Sequence, residues 1–319
     1  MIQYMCNGME MKLLAFGGVF FAFLLTCIFL KTMSGFLPKD LGRDFAHDGK
    51  KSAGKPRGAG FIFILVFAVS TILFGKMGNE VIIYVILTLA AMLTGFLDDC
   101  ARTPWGELKK GLLDFAIAIM VAITFLNFNS STIYLIFTKS EVTLNPILFG
   151  VLAVILVWVS INVTNCSDGV DGLSGTITVI TLSSIYAFDT IRKIDSDFRF
   201  IILLFIVCIL GYLWFNATPS KMMMGDAGSR AMGLFISIAI LKTNSPFLYL
   251  LFALVLIIDG GLGLIKVSLL RFLKIRILTN VRTPIHDHVR KVKGWSNTQT
   301  VFRFAIIQIM ISMAVLFLV

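Results

Sequence analysis

The sequence predicts an all-α, polytopic membrane protein, and its composition and the length of its apolar segments are the observations behind that prediction. Of the 319 residues, 57% are hydrophobic and only 14% are charged, whereas soluble domains carry about 25% charged residues. Apolar segments long enough to cross a bilayer core of about 30 Å recur along the chain. These features exclude a disordered chain and a small secreted fold held by disulfides. We expect a single integral-membrane domain over residues 1–319.

Each apolar segment is interpreted as one transmembrane helix, which gives about ten spans. The ninth contains Asp259 followed by Gly260, Gly261 and Gly263, and we expect this helix to bend or break there. Two interpretations stay open: close backbone packing against a neighbouring helix, or a bend that opens a groove for a lipid chain. The predicted spans are 13–30, 59–75, 81–97, 112–128, 147–163, 174–189, 200–215, 230–242, 247–270 and 303–319.

The charge distribution predicts how the chain is oriented. The formal net charge is +10, but the basic residues lie in loops between apolar segments, so topology and anionic lipid explain them better than nucleic acid does. The odd-numbered loops carry 19 Lys and Arg residues and the even-numbered loops carry six. By the positive-inside rule, the odd-numbered loops are cytoplasmic and both termini lie outside. The five cysteines are scattered without CxxC spacing, which predicts neither a metal cluster nor a disulfide framework.

Adjacent carboxylates end the third span. Asp98 and Asp99 would repel each other unless a cation or a proton shared the site, and a divalent ion is the simplest resolution. A solvated helix terminus is the alternative.

The fifth loop, residues 162–175, contains Asn165, Asp168 and Asp171 among glycines and has no Lys or Arg. Two carboxylates three residues apart, with an amide upstream, predict a polar pocket for a nucleotide or a hydrated metal. A plain turn between helices is the alternative.

The remaining motifs lie in the seventh and ninth loops. Asp226 lies among glycines just before the eighth span, and His286 and His288 share one short turn. Zinc would need a second Cys or His cluster, so phosphate binding by the histidines with Arg282 and Arg290 fits better.

All these motifs fall on odd-numbered loops and hence on one face of the membrane. Carboxylates, a hard divalent cation and basic side chains on that face suit phosphoryl transfer at a membrane surface.

These residues resemble the polyprenyl-phosphate N-acetylhexosamine-1-phosphate transferase superfamily over nearly the whole chain. The superfamily shares the Asp98-Asp99 motif, the 162–173 motif and the 225–229 motif, and the ending 284–295 is similar to the muramoyl-pentapeptide branch. The chain departs from that branch at three places. Asp287 stands where the family has the middle of three histidines, Lys55-Pro56-Arg57 is similar to the N-acetylglucosamine branch, and Met223 replaces an aromatic residue that often stacks on uracil.

The resemblance implies Mg²⁺-dependent transfer of phospho-N-acetylmuramoyl-pentapeptide from UDP-N-acetylmuramoyl-pentapeptide to undecaprenyl phosphate, at the cytoplasmic face of the bacterial cytoplasmic membrane. The products are lipid I and UMP. A second copy of the chain, in a homodimer, is the protein partner that we expect. By the same resemblance, the catalytic residues are Asp98, Asp99 and Asp226, the Mg²⁺ ligands are Asp226, Asp98 and Asp168, and the substrate contacts are Lys51, Arg102, Lys110, Asn165, Asp168, Asp171, Met223, His286 and His288.

Two other functions remain as alternatives. The sister class transfers N-acetylglucosamine-1-phosphate and shares the fold, the metal and the lipid acceptor. A proton- or cation-coupled transporter would also place acids in helices and break a span. That class expects its polar groups near the middle of the membrane, whereas most of those in this chain cluster at one face.

Overall fold

The computed structural model describes residues 11–42, 52–101 and 103–319, and these residues form helices almost throughout. One antiparallel hairpin, of β1 (Thr132–Leu135) and β2 (Ser140–Thr143), pairs Thr132 with Thr143. The all-α prediction is therefore confirmed. The helices are α1 (Met11–Met33), α2 (Gly60–Phe74), α3 (Asn79–Asp99), α4 (Glu107–Phe128), α5 (Pro146–Cys166), α6 (Leu173–Arg192), α7 (Ser196–Asn216), α8 (Gly225–Lys242), α9 (Pro246–Phe252), α10 (Leu254–Leu273), α11 (Ile285–Lys293) and α12 (Asn297–Leu316).

Each of the ten predicted spans is mainly helical, and the ninth consists of two helices, but the expected number of membrane crossings is too high. By length and composition, six of the described helices could cross a membrane, or seven if α9 and α10 form one bent span. Helix α2 has only 15 residues, α6 is less apolar, and α8 contains three charged residues, Asp226, Arg230 and Lys242. Every residue of α8 from Gly225 to Leu241 is buried, so its polar side chains face neighbouring helices and not lipid.

Helix α8 lies at the centre of the bundle, where glycines bring other helices against its first turn. A Cβ on Gly60, at the start of α2, would lie 2.7 Å from the carbonyl carbon of Ala227, and one on Gly95 of α3 would lie 2.6 Å from the Ala227 nitrogen. Real Cβ atoms do not approach so closely, so both positions require glycine. These contacts hold the segment that carries Asp226 against α2 and α3.

The predicted break in the ninth span is displaced from its expected position. Helices α9 and α10 meet at 69° around Ala253, six residues before Asp259. Gln308 of α12 satisfies backbone groups at the break: its amide nitrogen donates to the Leu251 carbonyl (3.0 Å), and its Oε1 accepts from the Val255 N–H (2.9 Å). The bend is stable inside the bundle because these backbone groups have partners.

The Asp259 segment itself forms a π-helical turn, Ile257–Gly261, within α10. A Cβ on Gly260 would lie 2.9 Å from Ser167 Oγ, so α10 packs closely against the end of α5. Close backbone packing, one of the two interpretations of these glycines, therefore explains Gly260.

Candidate active site

A polar cavity of about 480 Å³ opens at the end of the bundle where the loops after α1, α5 and α7 meet. Asn216, the last residue of α7, joins two of these loops: its side chain accepts from the Gly172 N–H (2.8 Å) and donates to the Met222 carbonyl (2.8 Å). The lining includes Asp40, Lys55, Arg57, Asn165, Asp168, Asp171, Met223, Asp226 and Arg290.

Asp99 binds the N-terminus of α8. Its Oδ1 accepts from the Asp226 N–H and its Oδ2 from the Ala227 N–H, both at 3.1 Å. Backbone N–H groups in the first turn of a helix lack partners within the helix and favour negative charge. Asp99, on α3, thus fixes the backbone that carries Asp226. Its side chain is fully buried.

Lys110 bridges two of the predicted catalytic carboxylates. Its Nζ lies 3.0 Å from Asp226 Oδ2 and also contacts Asp98 Oδ2. The other Asp98 oxygen accepts from the Trp105 N–H (2.7 Å). Lys110 and Asp226 are 116 positions apart in sequence, and packing of α4 against α8 brings them together.

Arg57 lies among these carboxylates, and it was not one of the predicted site residues. Its Nε lies 2.9 Å from Asp99 Oδ1, and its two terminal nitrogens lie 3.5 Å from Asp226 and 3.8 Å from Asp40. Burial acts to lower the pKa of Arg57, but Asp99, Asp226 and Asp40 outweigh it, so the pKa is raised above its ordinary value. The sequence signal for Arg57 is the basic Lys55-Pro56-Arg57 segment of the first loop.

The residues of the predicted fifth loop reach the cavity from different places in the fold. The break between α5 and α6 is shorter than expected, residues 167–172, so Asn165 lies on α5. Its Oδ1 accepts from the Ser229 hydroxyl (2.8 Å). Asp171 accepts from the Ser220 N–H (3.2 Å) and lies 4.0 Å from Lys55 Nζ. Asp168 and Met223 line the cavity.

The ninth-loop histidines lie on α11 and not in a turn. His286 is 3% exposed, and Asp259 accepts from both its backbone N–H (2.7 Å) and its ring Nδ1 (2.8 Å). A Cβ on Gly169 would lie 2.8 Å from His286 Cε1, so the ring packs on the fifth loop beside the cavity. His288 is half-buried, and its Nδ1 accepts from the Arg282 N–H (3.3 Å). The structure thus pairs Asp259, which the sequence presents as a helix interruption, with a predicted site residue.

Two of the predicted substrate contacts, Lys51 and Arg102, lie outside the described residues. Of the others, Asn165, Asp168, Asp171, Met223 and Asp226 line the cavity, and Asp99, Lys110 and His286 contact residues that line it. Asp98 contacts Lys110, and His288 contacts Arg282, which does not line the cavity.

The donor chemistry fits one hydrated Mg²⁺ ion and not a dense carboxylate cluster. No group of three or more His, Cys, Asp or Glu residues suited to a metal occurs in the described part of the chain. Mg²⁺ usually keeps several waters and takes one or two carboxylates together with substrate phosphates. Asp226 and Asp168 both line the cavity and can supply those carboxylates. The ligand role of Asp98 stays a prediction, since its oxygens contact Lys110 and Trp105.

The fold and the cavity define a multi-pass membrane protein with a carboxylate-rich site at one end of its helix bundle. The model of the family described as glycosyl transferase family 4 matches residues 81–244. A phospho-N-acetylmuramoyl-pentapeptide-transferase of Treponema pallidum (strain Nichols) is 40% identical over 303 residues, covering 88% of this chain and 82% of that protein.

More distant relatives carry the same name. The protein of Wolbachia pipientis wMel is 27% identical over 81% of this chain and 82% of its own length. That of Helicobacter pylori (strain ATCC 700392 / 26695) is 26% identical over 94% of this chain and 92% of its own length. The chain belongs to glycosyl transferase family 4, and it is a membrane-bound transferase.

Proposed function

We propose that this protein transfers phospho-N-acetylmuramoyl-pentapeptide from UDP-N-acetylmuramoyl-pentapeptide to undecaprenyl phosphate, forming lipid I and UMP for peptidoglycan synthesis. A phosphate oxygen of the lipid forms a bond to the sugar-bearing phosphorus of the donor. The bond from that phosphorus to the bridging oxygen breaks, and the oxygen leaves with UMP. The names of the relatives support this donor and acceptor, and the cavity supports the chemistry.

The observation that carries the proposal is the excess of negative charge around Asp226. Four carboxylates, on Asp40, Asp98, Asp99 and Asp226, share two cations, Arg57 and Lys110. Two negative charges remain when all six groups are ionised, which is the charge that one divalent cation neutralises. Bound Mg²⁺ would offset the charge of the donor diphosphate during displacement.

The chain's own residues have distinct roles in this proposal. Asp226 and Asp168 hold the metal, and Asp99 positions Asp226 through the first turn of α8. Lys110 anchors a phosphate oxygen. A phosphate monoester is already largely ionised near neutral pH because its second pKa is about 6, and both Asp98 oxygens contact N–H donors. We therefore favour a positioning role for Asp98 over that of a base.

The remaining predicted site residues bind the nucleotide, the phosphate or the sugar in this proposal. Asn165, Asp171 and Met223 contact the nucleotide, while His286 and His288 contact the phosphate or the sugar-peptide part. The loops at the cavity end of the bundle carry more basic residues than those at the opposite end, which supports a site on the cytoplasmic face of the bacterial membrane. Arg230, counted among those residues, is buried in α8, and removing it from the count leaves the asymmetry intact.

Donor choice is the experiment that tests the proposal. Purified protein would be given radiolabelled UDP-N-acetylmuramoyl-pentapeptide or UDP-N-acetylglucosamine at equal concentration, with undecaprenyl phosphate and Mg²⁺. We expect lipid I from the first donor and little transfer from the second. The opposite preference would assign the chain to the sister class, which the Lys55-Pro56-Arg57 segment favours. Transfer from neither donor would refute both assignments.

A further inference from the structure

Two oppositely oriented ion pairs connect α4 and α8, one helical turn apart. Lys110 of α4 pairs with Asp226 of α8, and four residues further along each helix Asp114 of α4 pairs with Arg230 of α8. Residues four apart lie on the same face of a helix. Asp226 of the first pair lines the cavity, whereas the second pair lies deeper in the bundle.

The second pair is enclosed in protein. Arg230 and Asp114 are each 1% exposed, and Arg230 Nη2 lies 2.6 Å from Asp114 Oδ1. The same nitrogen donates to the main-chain carbonyl of Lys110 (3.1 Å), and Arg230 Nε donates to Asp114 Oδ1 (3.1 Å). The guanidinium therefore binds both the side chain of Asp114 and the backbone of Lys110.

Stability alone is a poor explanation for this pair. Removing two charges from water is costly, and replacing a buried ion pair by apolar residues of similar volume is often neutral or stabilising. Ionisable groups within membrane-spanning helices usually have a functional reason. The direct contact between Arg230 and the Lys110 carbonyl indicates what that reason is here.

We propose that Asp114 and Arg230 are positioning residues, which fix the register of α4 against α8 and so hold Lys110 Nζ between Asp98 and Asp226. This inference rests on the proposed role of Lys110 as the phosphate anchor. The planar guanidinium is suited to the task because it presents several donors in a fixed geometry.

The test measures the position of Lys110 without measuring turnover. Full-length protein in detergent would be treated with a limiting amount of an amine-reactive acylating reagent, and modification of Lys110 would be quantified by mass spectrometry. Lys110 is 23% exposed in its side chain, so the reagent can reach it. In Arg230→Gln we expect Lys110 to react about tenfold faster, which corresponds to about 1.4 kcal/mol of lost interaction.

A matched control lies at the other end of the same helix. There Lys242 Nζ lies 3.0 Å from Glu80 Oε2, and Glu80→Gln removes that ion pair. We expect Glu80→Gln to lower the melting temperature without changing the reactivity of Lys110. Equal acceleration in both variants would show general loosening of the bundle and would overturn the proposal, as would an unchanged rate in Arg230→Gln.

A second variant covers the case in which Arg230→Gln does not fold. Asp114→Asn combined with Arg230→Gln leaves no unpaired charge in the bundle and still removes the guanidinium from the Lys110 carbonyl. We expect the same acceleration at Lys110, and its absence would again overturn the proposal. The transfer reaction proposed above would be untouched by such a failure, because no step of this experiment depends on activity.

Discussion

The carboxylate of Asp99 lies where a side chain on Gly225 would have to be. A Cβ on Gly225 would lie 2.7 Å from Asp99 Cγ, and Gly225 has a φ of 69°, a backbone conformation that favours glycine. The glycine therefore lets a carboxylate from α3 reach the backbone N–H groups of Asp226 and Ala227. Glycine at position 225 is a requirement of that contact.

Gly225→Ala is expected to separate Asp99 from the N-terminus of α8. The positive φ alone costs about 1–3 kcal/mol for a residue with a side chain, and the overlap with Asp99 adds to it. We expect a lower melting temperature and loss of most turnover. Gly78→Ala is the control, because nothing lies within 4 Å of its added Cβ and its φ is −100°. Equal melting temperatures and equal turnover in the two variants would contradict the contact between Asp99 and the N-terminus of α8.

Asp226→Asn should abolish Mg²⁺-dependent turnover while the protein still folds. The substitution keeps the size of the side chain and removes its charge, so Lys110 and Arg57 lose an anionic partner and the metal loses a ligand. We expect turnover to fall about 100-fold or more, equivalent to about 2.7 kcal/mol. Asp197→Asn, which breaks an exposed ion pair with Lys76, should have little effect. Near-normal turnover in EDTA would rule out the metal assignment.

His286→Ala is expected to reduce turnover at least about tenfold, or about 1.4 kcal/mol. The ring is buried against Asp259 and the fifth loop, so its orientation is determined by those contacts. Asp259→Asn should reproduce part of the loss, because a neutral amide holds the ring nitrogen less strongly than a carboxylate does. Steady-state kinetics of both variants would test this. If His286→Ala kept more than half of the turnover, the histidine would have no role at the site.

The orientation in the membrane can be tested with single cysteines at exposed positions. Thr103→Cys, Lys221→Cys and Lys293→Cys lie near the cavity end, whereas Lys139→Cys and Lys193→Cys lie at the opposite end. In intact cells we expect an impermeant thiol reagent to label only the second group. Labelling of the first group from outside would reverse the proposed topology and place the site on the external face.

Much of the fold was predictable because its causes are local. Apolar segments of sufficient length predict helices whatever surrounds them, and all ten predicted segments are mainly helical, the ninth as two helices. The number of crossings was not predictable in the same way. Gly225–Leu241 is buried on all sides by protein, and whether an apolar helix faces lipid or other helices depends on packing.

The site, like the fold, was set partly by local sequence and partly by packing. The sequence by itself determined which residue types were available and that the motifs lie in alternate loops between apolar helices, because the helices follow from local composition. Only the tertiary structure decided the partners: Arg57 with Asp99 and Asp226, Asp259 with His286, and Asp114 with Arg230. The physical reason is that each pair joins residues far apart in sequence. Contacts of that kind depend on how helices cross and on glycines such as Gly60 and Gly95, which set how closely those helices approach.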